Sequence, residues 1–161
     1  VIAKTLSQIL IACAIVVLFK MAMIIVPIKI ISTRENVIIG LQYTYNIGYD
    51  MAIAVYNAHV VSGYSPMFIA ELVLSESAFN PRAVSPKGYK GVLQTPTKTG
   101  YLNADMIHGV EILQDKFKIY KDPVDAIAAF KGGKDVPLAR QQARAFLLAY
   151  EKRKKGDNYE K

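Results

Sequence analysis

At 161 residues the chain has room for one domain plus an appendage, and its net charge of +7 suits an anionic partner such as a wall polymer or a phospholipid surface. A single cysteine excludes an intrachain disulfide framework and a multi-cysteine zinc site. No nucleic-acid-binding motif accompanies the positive charge, so no nucleic-acid partner is expected.

Residues 6–31 are mostly apolar, long enough for a membrane span, which needs about 20 residues. Lys20 interrupts the run but lies toward one end of a span starting near Leu6, where its ammonium can snorkel to the headgroups. Leu10-Ile11-Ala12-Cys13 resembles a bacterial lipobox, yet the chain stays apolar beyond Cys13, which favours an uncleaved anchor helix. Lys4 on one flank and Lys29 and Arg34 on the other give no clear orientation. The expected organisation is a membrane anchor over 1–34 and a second domain over 35–161.

Ser32 or Thr33 is a candidate cap for the next helix, with Glu35 in its first turn. Asn46-Ile47-Gly48 should break that segment, and Ile53, Tyr56 and Val60 then share one helical face. Ser62-Gly63 reads as a turn, and Ser65-Pro66 as a cap followed by proline at the first helical position. That helix should run to Glu76 or Ser77, with Pro81 enforcing its end. Residues 79–100 hold three prolines and three glycines and read as loop. Asn103 or Asp105 opens a helix to about Tyr120, Pro123 starts a short one ending at Gly132-Gly133, and a last one spans about 137–155. Its basic run, Lys152-Arg153-Lys154-Lys155, reads as a solvated face. No alternating strand pattern appears, so the expected fold class is mainly α.

Chemistry concentrates at Glu76. It continues the apolar face of Ile69, Leu72 and Val73, so its carboxyl should point inward at a helix C-terminus. Desolvation and the negative end of the helix dipole both favour a protonated carboxyl, the state a general acid needs. No Asp or Glu lies between Glu76 and Asp105, and Glu71 lies off the Glu76 face. His59 and His108 have no paired ligand at helical spacing, so neither metal nor cofactor is expected.

Glu76-Ser77-Ala78-Phe79-Asn80-Pro81, then Ala83-Val84-Ser85-Pro86-Lys87-Gly88 and Gly91-Val92-Leu93-Gln94, resembles the signature of the SLT-type lytic transglycosylases. The likeness runs from Tyr64 to Gly133. It implies a lysozyme-like (goose-type/SLT) helical domain acting on peptidoglycan glycan strands. By the same resemblance Glu76 would protonate the bond between N-acetylmuramic acid and N-acetylglucosamine. It would then act as base on the C6 hydroxyl, giving a 1,6-anhydro end. Ser77 and Gln94 are the matching substrate-binding candidates, with Gly88 and Gly91 as backbone devices. The family's Ala-Tyr-Asn-Ala-Gly segment is Ala129-Phe130-Lys131-Gly132-Gly133 here, so Phe130 lacks a hydroxyl and Lys131 replaces an amide. Tyr89, Tyr101 or Tyr150 could supply the missing phenol. Two alternatives stay open: a hydrolase of the same bond, and a non-catalytic wall-binding or membrane-assembly protein. The implied substrate puts the expected catalytic domain on the wall-facing side of a membrane or in a phage virion, and its small size alone suits local wall opening, as in secretion-system assembly or phage genome entry.

Overall fold

A computed structural model of the chain describes residues 33–96 and 99–156. The chain divides into two units, Val1–Val37 and Ile38–Lys161, and the motif that begins at Glu76 lies in the second. The expected anchor over 1–34 falls almost wholly outside the described residues. Among those described, no helix is long and apolar enough to cross a membrane.

The described residues open with α1, helical over 33–45. Ser32, one of its two candidate caps, lies outside the described residues, and Thr33 is already helical. Asn46 ends α1 in the left-handed region (φ 51°), a conformation that asparagine tolerates better than most residues. α2 (Tyr49–Ser62) follows the expected break. Its helical period was legible, but its buried side is Ala52, Val55 and Ala58, while Val60 is exposed. The helix packs most extensively on α4 (Leu102–Ile119), and small alanine side chains permit that close approach.

α3 (Pro66–Ser77) is the central helix. Ser65 caps it, its hydroxyl accepting from the Phe68 amide at 3.2 Å, and Pro66 occupies the first turn as anticipated. Six consecutive residues, Phe68 to Val73, are buried, so this helix is covered all round rather than on one stripe. Full burial of side chains such as Ile69, Leu72 and Val73 stabilises by about 1.5–3 kcal/mol each. Helices α2 and α6 (Pro137–Gly156) pack on it. α5 (Pro123–Lys131) starts at Asp122, whose carboxylate accepts from the amides of Val124 and Asp125, and joins α4 to α6.

The basic run of α6 is not wholly a solvated face. Lys152, Lys154 and Lys155 are exposed, but Arg153 turns inward to form an ion pair with Glu71 of α3. The Glu71 side chain is only 4% exposed and also accepts from the Tyr45 hydroxyl at 3.1 Å. The Arg153 guanidinium lies 4.9 Å from the Tyr45 ring centroid. Its Nε meets the carboxylate as a charge contact rather than an aligned hydrogen bond.

Candidate active site

α3 ends where the candidate acid must be presented. Ala78 and Phe79 both take positive φ (49° and 61°), reversing the chain directly after Ser77, and the Ala78 amide donates to the Leu74 carbonyl. The Phe79 ring packs edge-on against Tyr45, and the Asn80 side chain accepts from the Arg82 amide at 2.9 Å in an Asx turn. These contacts hold the Phe-Asn-Pro stop in place, so Glu76 sits in the last turn before a rigid reversal.

The loop beyond folds back on itself. Two isolated antiparallel bridges, Val84 with Lys90 and Lys90 with Thr95, build a small meander. Gly88 and Gly91 turn within it at φ 81° and 80°, a region costly for residues with a Cβ, which fits the backbone role anticipated for them. Leu93 and Val92 bury into the core, and Leu93 seats directly on Gly109 of α4. A Cβ at Gly109 would stand 2.6 Å from Leu93 Cδ1. Asp105 does not cap α4, because Tyr101 precedes its first turn. Instead its buried carboxylate accepts from the Thr99 amide (2.6 Å) and hydroxyl (2.8 Å), tying the far end of the loop to the helix.

Between α3, this loop, α5 and the start of α6 lies a groove of about 690 Å³. Glu76, Ser77, Tyr89, Gln94, Phe130 and Lys131, the six residues singled out from the sequence, all line it. Tyr101 and Tyr150 do not. Tyr101 is exposed elsewhere, and the Tyr150 hydroxyl contacts Ser65 Oγ at 3.2 Å while its ring meets Phe68 edge-on. Of the three tyrosines considered, only Tyr89 can offer a phenol to a bound chain. Sequence reasoning passed over Ser75, Lys87 and Gln142, which also line the groove.

Two of the polar side chains are partly engaged. Ser77 Oγ donates to the Val73 carbonyl at 3.3 Å, the ordinary habit of a helix-end hydroxyl. Gln94, itself at φ 49°, gives Nε2 to the Gly91 carbonyl at 2.6 Å, which fixes the plane of its amide. Its carbonyl oxygen is thereby set by the turn rather than by a flexible side chain.

Glu76 has a partner that no local pattern announced. Lys131 Nζ donates to Glu76 Oε1 at 2.5 Å and to Ser75 Oγ at 2.9 Å, with Phe146 5.9 Å below the ammonium. The side chains are 5% (Lys131) and 12% (Glu76) exposed, so the pair is largely withdrawn from solvent. Its location has an electrostatic reason. α3 and α5 both end here, and an ammonium beside two helix C-termini offsets their negative ends as well as the carboxylate.

Residues 54–151 match the transglycosylase SLT domain. The chain belongs to that family. Searches of curated proteins and of solved structures found no match. As a transglycosylase SLT domain the fold is lysozyme-like, and membership supports a lytic-transglycosylase-type function on peptidoglycan. The match extends the likeness on both sides of Tyr64–Gly133, taking in most of α2 and most of α6.

Proposed function

We propose that this SLT domain cleaves the bond between N-acetylmuramic acid and N-acetylglucosamine by non-hydrolytic transglycosylation, with Glu76 as its acid and base. The observation that carries the reading is the charge inventory of the groove: Glu76 is the sole carboxylate among its described lining residues. Two-carboxylate glycosidases place their acids about 5–9.5 Å apart across the bond. With one carboxyl, the same group must deliver and recover the proton. Glu76 gives its proton to the glycosidic oxygen, and that C–O bond breaks as the leaving sugar departs. The resulting carboxylate takes the C6 hydroxyl proton, and O6 closes on C1 to form the 1,6-anhydro ring. No water is consumed, and Glu76 ends protonated as it began.

The walls suit a sugar chain. Gln94, with its amide plane fixed, offers a carbonyl to an N-acetyl N–H, while Tyr89 and Phe130 supply flat apolar area for ring faces. Ser77 stands beside the acid to contact the reacting sugar. We place the domain on the wall-facing side of a membrane, anchored through residues 1–34. Local wall opening for a secretion system or phage genome entry is the work that suits one small domain.

A second reading, a wall-binding protein without catalysis, is favoured by one observation: Lys131 occupies a carboxylate oxygen of Glu76. Digestion of purified peptidoglycan by wild type and Glu76→Gln, with mass spectrometry of the products, separates these. Anhydro ends that vanish in the variant support the transglycosylase. Reducing ends make the protein a hydrolase, and intact strands with retained wall binding leave the second reading.

A further inference from the structure

Lys131 borders two hollows: the groove holding Glu76, and a smaller one of about 310 Å³ lined also by Glu71, Leu74, Gln142 and Phe146. Few charged groups line the two hollows. α3 brings Glu71 and Glu76, the loop brings Lys87 and α5 brings Lys131 itself, while Asp125 of α5 is paired with Arg140 of α6 and Arg153 of α6 reaches Glu71. Glu71 is engaged by Arg153 and the Tyr45 hydroxyl. Lys131 therefore depends on Glu76 for its counter-charge.

That dependence conflicts with the proposed chemistry. An acid poised to protonate the glycosidic oxygen is neutral, and its oxygen cannot also accept from Nζ as an anion. The working site then holds a largely buried ammonium with no carboxylate facing it. An uncompensated charge in such a position is strongly unfavourable. An anion arriving with the substrate would supply the missing counter-charge.

We infer that Lys131 is a carboxylate receptor for the substrate: its ammonium passes from Glu76 to a carboxylate carried by the muramoyl side-arm, releasing Glu76 to act as acid. The inference rests on the transglycosylase reading of the groove. It names a substrate feature, because a neutral glycan could not relieve Lys131. The carboxylate has two sources, the lactyl group where the stem peptide has been removed and the stem peptide itself. The lactyl group hangs from the same sugar ring whose C1–O bond breaks, so peptide-free strands bring their charge nearest to Glu76.

The test is equilibrium binding of three glycans: peptide-free strands, the same strands with the lactyl carboxyl converted to its methylamide, and peptide-bearing strands. In Glu76→Gln, where Lys131 has lost its partner, peptide-free strands should bind at least about tenfold tighter than the methylamide, as one charge-assisted hydrogen bond implies. The gap should vanish in the double variant Glu76→Gln with Lys131→Met. Wild type against Lys131→Met provides the same comparison should the first pair fold poorly, with circular dichroism checking each protein. Peptide-bearing strands that bind like the peptide-free ones make the stem peptide a source as well, whereas binding like the methylamide confines recognition to the lactyl group. Equal affinity for peptide-free and methylamide strands, or a preference that survives Lys131→Met, overturns the inference. Cleavage is scored separately. A carboxylate preference without cleavage sinks the transglycosylase reading, and Glu76-dependent cleavage without the preference sinks this one.

Discussion

Lys131 and Glu76 are 55 residues apart in sequence, yet their side chains meet at 2.5 Å where the last turns of α5 and α3 converge. The pair joins the two walls of the groove through a single contact. Removing either charge leaves the other largely buried, and breaking such a pair costs about 3–5 kcal/mol. Glu76→Gln and Lys131→Met should each destabilise by roughly 2–4 kcal/mol, with Ser75 still hydrogen-bonding Lys131 in the first. The double variant should recover much of that loss. Urea midpoints for the four proteins give the coupling, and strict additivity would show that the contact contributes nothing.

Gly109→Ala tests how the loop is seated. The new methyl meets Leu93 at under van der Waals distance, with Leu93 Cβ at 2.7 Å and Cδ1 at 2.6 Å. Overpacking of this kind costs about 1–3 kcal/mol. Because Gln94 follows Leu93, the displacement should also raise KM for glycan strands more than it lowers kcat. Combining it with Leu93→Ala should relieve the clash while leaving a cavity, so KM recovers before stability does. An unchanged KM in the single variant would detach the loop's seat from substrate binding.

Within the basic run of α6, only Arg153 should matter to stability. Arg153→Ala strands the Glu71 carboxylate with the Tyr45 hydroxyl as its remaining partner among the described residues. Since the Arg153 side chain is 36% exposed, the expected loss is discounted to about 1–3 kcal/mol. Lys152→Ala and Lys154→Ala should move the urea midpoint within error. A uniform effect across the run would mean that net charge, not the pair, is responsible.

Burial beside Phe68 and Phe117 raises the pKa of the Tyr64 hydroxyl above its ordinary value. The unfolded chain therefore loses this proton first as pH rises. Tyr64 contributes stability fully present below about pH 10 and lost as pH climbs through its raised folded value. Tyr64→Phe should remove that part of the alkaline decline. The difference in urea midpoint between wild type and variant, followed from about pH 8 to about pH 11, should change sign-consistently in that window. A constant difference would refute the assignment.

Much of the architecture was legible because its signals are local. Ser65-Pro66 start α3, Asn46 and Gly48 flank the break before α2, and Asp122-Pro123 start α5, each through chemistry confined to a few residues. The six groove residues were legible because motif order along the chain survives folding as proximity. What escaped depends on distant segments. The ion pair of Glu76 with Lys131, the inward turn of Arg153 and the Asp105 tether to Thr99 are pairings that no spacing rule reports. The alanine side of α2 escaped for another reason. Burial there is decided by how closely α4 approaches, and hydrophobicity ranks Val60 above Ala58 without knowing that.

The inward turn of Arg153 has a practical corollary. The final turns of α6 act as a strut behind the rod that presents Glu76, tying the end of that helix to the one that carries the candidate acid. Ending α6 before Arg153, however expendable its basic last turn looks, would loosen the acid from behind.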